Sequence, residues 1–198
     1  MSVLFSEASG QDSSRTARKP REYNRLFQFA LFPGISTNGI HSGFYQNDFS
    51  LNLFGGLSAA NRIFELGLVT NVELNSVTGI QIAGLANIIG TNTFLNLTIS
   101  EQRALEHADF ESNRQGIQPA GFLNHVRNNA KGVQLSGGFN PVGFDYKGVQ
   151  FAGLGNLVGG QATGFQIAGL FNMAADGMGG IQISSLFIAR MVSLQVHR

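Results

Sequence analysis

The chain has 198 residues and a net charge of +1, with 13% charged residues, about half the quarter usual in a soluble domain. Cysteine is absent, which excludes disulfides, thiolate metal sites and cysteine nucleophiles, and the near-neutral charge gives no global field that favours nucleic acid. Glycine is abundant (26) against 4 prolines, which excludes a collagen-like chain and disfavours long helices, because glycine costs about 1 kcal/mol against alanine inside one. No apolar run reaches the roughly 18 residues of a membrane-crossing helix.

Residues 1–24 are polar and basic, with Arg15, Arg18, Lys19 and Arg21 close together and Arg25 just beyond. Such a terminus is expected to be a disordered basic tail ahead of a β-repeat domain over 25–198. The start lacks a basic n-region, and Ala8-Ser9-Gly10 can be read as the remnant of a small-residue cleavage site. The leader is therefore expected to be missing or truncated.

Two alternating runs follow. Phe27, Phe29 and Leu31 share one face; Phe49, Leu51 and Leu53 share another, opposed by Ser50 and Asn52. Period-two alternation predicts strands with unlike faces. Asn38-Gly39 and Ser42-Gly43 between them are turn signals.

The repeats begin next. GIQIAGLAN starts at Gly79, GIQPAGFLN at Gly116, GVQLSGGFN at Gly132, GVQFAGLGN at Gly148, GFQIAGLFN at Gly164 and GIQISSLFI at Gly180. A degenerate copy, IFELGLVTN, starts at Ile63. The period is 16 from Gly116 onward, but Gly79 to Gly116 spans 37 residues, two periods plus five. The weak strand Phe94–Ile99 is expected where a copy is skipped. The charged stretch 100–115 is expected to form a polar loop or short-helix insertion capped by Ser100.

Within one repeat, Phe165, Ile167, Gly169, Phe171 and Met173 fall on one face, and Gln166, Ala168, Leu170 and Asn172 on the other. Two all-β architectures fit. In the first, each repeat is one strand of about ten residues in an antiparallel up-and-down meander or partial β-barrel of about 9–10 strands, its apolar face toward lipid. Charge is rare enough for this: between Gly132 and Ala189 only Asp145, Lys147 and Asp176 are charged, each at a predicted turn. In the second, each repeat is one coil of a β-solenoid, and the recurring Gln and Asn stack in amide ladders.

The tandem GVQFAGLGN and GFQIAGLFN units, preceded by FQFALFPGISTNG and FSLNLFGGLSA, resemble a bacterial surface-repeat protein family of uncharacterised function. The resemblance spans roughly 25–190. It implies an outer-membrane or cell-surface location in a two-membrane bacterium and brings no catalytic residues. Three departures stand out: few repeats, the charged insertion, and an ending on Gln195-Val196-His197-Arg198 where a barrel strand would close on an aromatic residue.

No constellation supports catalysis. His41, His107, His125 and His197 have no metal-ligand spacing. Glu101, Glu106, Asp109 and Glu111 lie among Arg103 and Arg114 as a solvated charged face. Gly153–Gly160 lacks the lysine of a phosphate loop. Ser136, Ser184 and Ser185 occupy small packing positions. Asn124, Asn140, Asn156 and Asn172 are expected to end strands by bonding to the next turn, or to line a sugar-binding groove. No catalytic, cofactor-binding or metal residue is therefore assigned, and no cofactor. The expected function is non-enzymatic: an envelope or outer-membrane protein partnered by lipid, or alternatively a soluble β-solenoid module recognising a protein or glycan. No nucleic-acid partner is expected.

Overall fold

The computed structural model describes residues 23–90 and 114–190. Each repeat forms two short strands rather than one long one. In the coil starting at Gly148, β11 (Tyr146–Ala152) runs along a first side and the chain turns at Gly153-Leu154. β12 (Gly155–Val158) then runs along a second side, and a further turn leads into β13 (Gln161–Ala168). β13 lies beside β11, parallel and in register, with Gly164 opposite Gly148 and Gln166 opposite Gln150.

The same step repeats along the chain. On the first side, β1 (Tyr23–Phe32), β3 (Tyr45–Asn52), β4 (Gly55–Gly67), β5 (Thr70–Ala83), β7 (Arg114–Ala120), β9 (Ala130–Ser136), β11, β13 and β15 (Gly177–Ser184) stack in parallel. On the second side stand β6 (Ala86–Ile89), β8 (Leu123–Val126), β10 (Phe139–Val142), β12, β14 (Phe171–Ala174) and β16 (Phe187–Arg190). The long β4 and β5 pass from one side to the other, so all strands belong to one continuous 16-stranded sheet. β2 (Ile35–Ser36) folds back on β1 as the one antiparallel pairing among the described residues.

The molecule is thus a β-solenoid. The antiparallel meander or barrel of 9–10 strands is not formed. Its premise, alternation along each strand, is shared by parallel and antiparallel sheets. What decides between them is the turn at Gly153-Leu154, which bends the chain on to a second side instead of reversing it. A further correction concerns the 37-residue interval. Gly79 pairs directly with Gly116, so no coil stands between them. The stacked strands are described up to Gly90 and again from Arg114. Phe94–Ile99 and most of the 100–115 insertion lie outside the described residues, whereas Arg114 and Gln115 belong to β7.

The interior is narrow and made of small and amide side chains. The Gln and Ala of the first side point inward (Gln150, Ala152), as do the Asn and Val of the second (Asn156, Val158). Val77, Ile89, Val126, Ala130, Val142, Tyr146, Val158, Ala162 and Ala174 form the buried apolar cluster. Glycine opens each coil for a geometric reason. Gly148 has φ +141°, and a Cβ there would lie 2.0 Å from the carbonyl oxygen of Gly132 in the coil below. Both the backbone region and the close stacking therefore exclude a side chain.

Gly148→Ala is expected to destabilise the fold by about 2–3 kcal/mol through backbone strain and the clash with the neighbouring coil. Thermal unfolding followed by circular dichroism checks this; an unchanged melting temperature would contradict the stacking described.

Candidate functional site

Two amide ladders run the length of the repeats inside the coil. Gln118 Nε2 donates to Gln81 Oε1 (2.8 Å), Gln134 to Gln118 (2.9 Å), Gln150 to Gln134 (2.7 Å) and Gln166 to Gln150 (2.6 Å). Every glutamine in this column donates toward the N-terminal end. The asparagines run the other way. Asn71 Nδ2 donates to Asn87 Oδ1 (2.9 Å), Asn124 to Asn140 (2.9 Å), Asn140 to Asn156 (2.9 Å) and Asn156 to Asn172 (2.9 Å). Each also reaches a backbone carbonyl of the next coil, as Asn140 does to Phe151 (2.8 Å).

Neither expectation for the asparagines holds. They bridge coils instead of capping the following turn, and they are fully buried instead of lining an open groove. An amide in a dry interior must have both donor and acceptor satisfied. An identical amide one strand spacing away supplies both.

Gln150→Leu keeps bulk but leaves the acceptor of Gln134 and the donor of Gln166 unpartnered. The expected loss is about 3 kcal/mol, since each buried orphan costs roughly 1–3 kcal/mol. Chemical denaturation measures it, and a neutral result would contradict a continuous ladder.

The glutamine ladder begins on an acid. Glu65 stands in register with Gln81, whose Nε2 donates to it at 2.8 Å, while Asn52 Nδ2 donates at 2.7 Å. Asn52 reaches across the interior into the asparagine column. Gly56 is the corresponding residue there, and a Cβ on it would fall 2.0 Å from the Asn52 amide. Glu73 occupies the place that Ile89 holds in the next coil and accepts from Ser58 Oγ at 2.7 Å. Both glutamates are fully buried and hydrogen-bonded to one another. Burial, then the like charge of Glu65, holds Glu73 well above the usual carboxylate range. Burial also raises Glu65, partly offset by the hydrogen bonds it accepts from Glu73, Gln81 and Asn52. Glu73 thus keeps its proton and donates it to Glu65.

A carboxyl whose folded pKa exceeds its unfolded value, here 4.5, contributes stability that is complete below the unfolded value. That stability is lost as the pH climbs through the folded one. The wild type should therefore lose melting temperature as the pH rises above the ordinary carboxylate range. Glu73→Gln retains the donor without the proton equilibrium and should flatten that loss, gaining several degrees at alkaline pH. Melting curves across pH for the two proteins check it; parallel profiles would show that the pair does not share a proton.

A second buried charge lies at the coil entrance of β7. Arg114 Nη1 donates to the carbonyls of Gly116 (2.6 Å) and Lys131 (3.4 Å), and burial lowers its pKa to about 10. Its Nε and Nη2 have no partner among the described residues. Tyr146, one coil beyond Ala130 in the same column, places its hydroxyl 2.8 Å from both Gly132 O and Val149 O, which share its single proton. Burial raises its phenol above the ordinary value.

The outer surface is apolar. On the first side two columns face out. One runs Phe27, Phe49, Phe64, Ile80, Ile117, Val133, Val149, Phe165 and Ile181; the other runs Phe29, Leu51, Leu66, Ile82, Pro119, Leu135, Phe151, Ile167 and Ile183. None of these positions is polar. Phe165 is 48% exposed and Ile183 54%. Beside them a shallow groove of about 620 Å³ runs across several coils. Its floor is Gly121, Gly137, Gly153 and Gly169, and one wall is Leu135, Phe151 and Ile167. The turn beyond carries Leu85, Phe122, Leu154 and Leu170. Leu170, expected on the amide face, points outward because the turn at Gly169-Leu170 shifts the alternation. The second side continues with Phe139, Leu157, Phe171 and Met173. The ring of Phe171 covers Gly155 and approaches that of Phe139 at 6.3 Å.

Charge is confined to the remaining corner. Arg62 and Asp48 pair there (2.5 Å), and Arg127, Lys131, Asp145, Lys147 and Asp176 follow along the stack. Asp145 Oδ1 also accepts the backbone N–H of Gln161 at 2.8 Å. Of the histidines, His41 lies in the short 3-10 turn Gly39–Phe44 and His125 in β8, far apart in the chain. His107, His197, Glu101, Glu106, Asp109 and Glu111 lie outside the described residues. Ser136 packs in the column of Ala120 and Ala152. Among the described residues no group of three or more His, Cys, Asp or Glu side chains is placed to hold a metal ion, and no helix is long and apolar enough to cross a membrane. No protein-family model, curated protein or solved structure matches the chain.

Proposed function

We propose that this protein is a non-enzymatic β-solenoid binding module whose working surface is its apolar exterior, not a pocket. One observation carries the reading. The two outward columns of the first side hold apolar residues at every one of nine successive strands, at an exposure that soluble monomers rarely show over so large a patch. The amide ladders serve this surface by fixing its register. An outer-membrane or cell-surface location belongs to the same proposal, because it comes from the resemblance of the repeat unit and accords with the scarcity of charge.

The reading requires the folded chain to present accessible apolar surface. An apolar fluorescent dye should bind the native protein, below its unfolding transition and without detergent. Phe151→Ser combined with Phe165→Ser should reduce that signal by about half while leaving strand content unchanged. A native protein that binds no dye would show this surface to be covered and would sink the proposal.

A further inference from the structure

The apolar surface does not stop at the first side. It continues over the leucine corner and along the second side, where the half-buried His125 in register with Ile88 interrupts it, so three of the four sides of the coil are largely oily. Among the residues whose burial is described, the exposed or half-buried Asp48, Arg62, Arg127, Lys131, Asp145, Lys147 and Asp176 lie on the fourth, and Arg25 stands apart in β1, in register with Asn47. A flat partner covers one side of a rod. A second copy of the chain, docked face to face on the first side, would leave the leucine corner and the second side in water. Only a fluid apolar phase covers all three together.

Two further observations agree. At the leucine corner the backbone is satisfied within the stack: Gly138 N donates to Phe122 O (3.0 Å), Leu154 N to Gly138 O (2.9 Å) and Leu170 N to Leu154 O (2.9 Å). The N–H groups of that turn are therefore satisfied within the stack as hydrocarbon requires, while the carbonyls of Gly137 and Gly153 receive none of these backbone bonds. The glycine-floored groove beside it runs parallel to the solenoid axis over four coils, roughly 15–20 Å at one strand spacing each. Apart from Ser136 its side-chain lining is apolar, and it is open to the outside, a shape that seats an extended acyl chain.

We infer that the solenoid lies along the surface of a lipid layer, its axis in the membrane plane. Three sides are immersed among acyl chains, and the corner bearing Lys131 and Lys147 sits at the level of the headgroups. This deepens the reading of the apolar exterior as the working surface, and it names lipid as the partner.

The chain contains no tryptophan, so single-tryptophan variants report depth without background. The full-length protein, transferred from mild detergent into phosphatidylcholine vesicles, should float with them. Phe151→Trp on the first side, Leu154→Trp at the leucine corner and Leu157→Trp on the second side should each show blue-shifted emission, quenched at least twofold by brominated acyl chains. Thr163→Trp at the charged corner should not. Leu154→Lys and Leu157→Lys should each lower vesicle partitioning at least tenfold with strand content retained. Absence of flotation overturns the inference, and so does quenching confined to Phe151→Trp, which would indicate a flat partner such as a second copy. Dye binding by a protein that does not float would defeat the lipid assignment alone and leave the apolar working surface standing.

Discussion

A primary amide inside a dry coil has two donors and an acceptor to satisfy, and a neighbouring amide in the adjacent strand can meet that demand along the whole stack. This constraint organises the molecule. It explains why Gln and Asn recur at one spacing while the outward residues vary freely among Val, Ile, Leu and Phe. It also fixes register, since a slip of one residue would turn the amides outward and drive Ile or Phe into an interior built for Ala and Val. The two ladders donate in opposite senses, glutamine toward one end and asparagine toward the other, so the dipoles of the two columns oppose.

The interior so defined determines what is left for the surface. With amides, alanines and valines filling most of the coil, the bulky aliphatic and aromatic residues mostly face out, Ile89 and Tyr146 being buried exceptions. The polarity of an ordinary soluble fold is thereby inverted on three sides. The charged residues are not scattered to compensate. They gather where the chain passes from Val158 toward Tyr146-like positions, at the corner where Asn129 and Asp145 also accept backbone N–H groups.

Much of this was legible in the sequence, but not its direction. The sixteen-residue period and the sorting of Gln166, Ala168 and Asn172 against Phe165 and Ile167 follow from alternation alone, and amide stacking was one of the two architectures that alternation permits. Parallel and antiparallel strands share the same alternation, so the choice between coil and meander was not written in any single repeat. The turn was hidden because Gly169 and Leu170 continue the pattern without a visible break: Gly fits either face, and Leu170 keeps phase with Gln166 although it points out. The pairing of Glu65 with Glu73 was equally invisible. Eight residues separate them in the chain, and only the passage of the backbone from the first side to the second brings their carboxyls together. The spacing from Gly79 to Gly116 suggested a skipped copy because it exceeds two periods, whereas Gly116 pairs directly with Gly79 in the stack.

The acid pair has its own logic within the ladders. Every glutamine donates toward the N-terminal end, so the last donor in that direction, Gln81, must meet a group that accepts without needing to donate onward. A carboxylate is such a group, and Glu65 accepts from Gln81 and Asn52 together. A bare buried charge would be costly, and Glu73, protonated by its own burial, supplies the third donor that offsets it. The asparagine column starts with the complementary choice. Asn52 crosses the interior to donate to Asn71, and Gly56 vacates the place that Asn52 fills. Beyond this point Gln28, Asn38 and Asn47 close a separate amide cluster, which covers the end of the coil with polar groups that satisfy one another. The N-terminal coils thus finish both ladders chemically, one on an acceptor and one on a donor, and this is why the degenerate copy at Ile63 carries Glu65 where the other copies carry Gln.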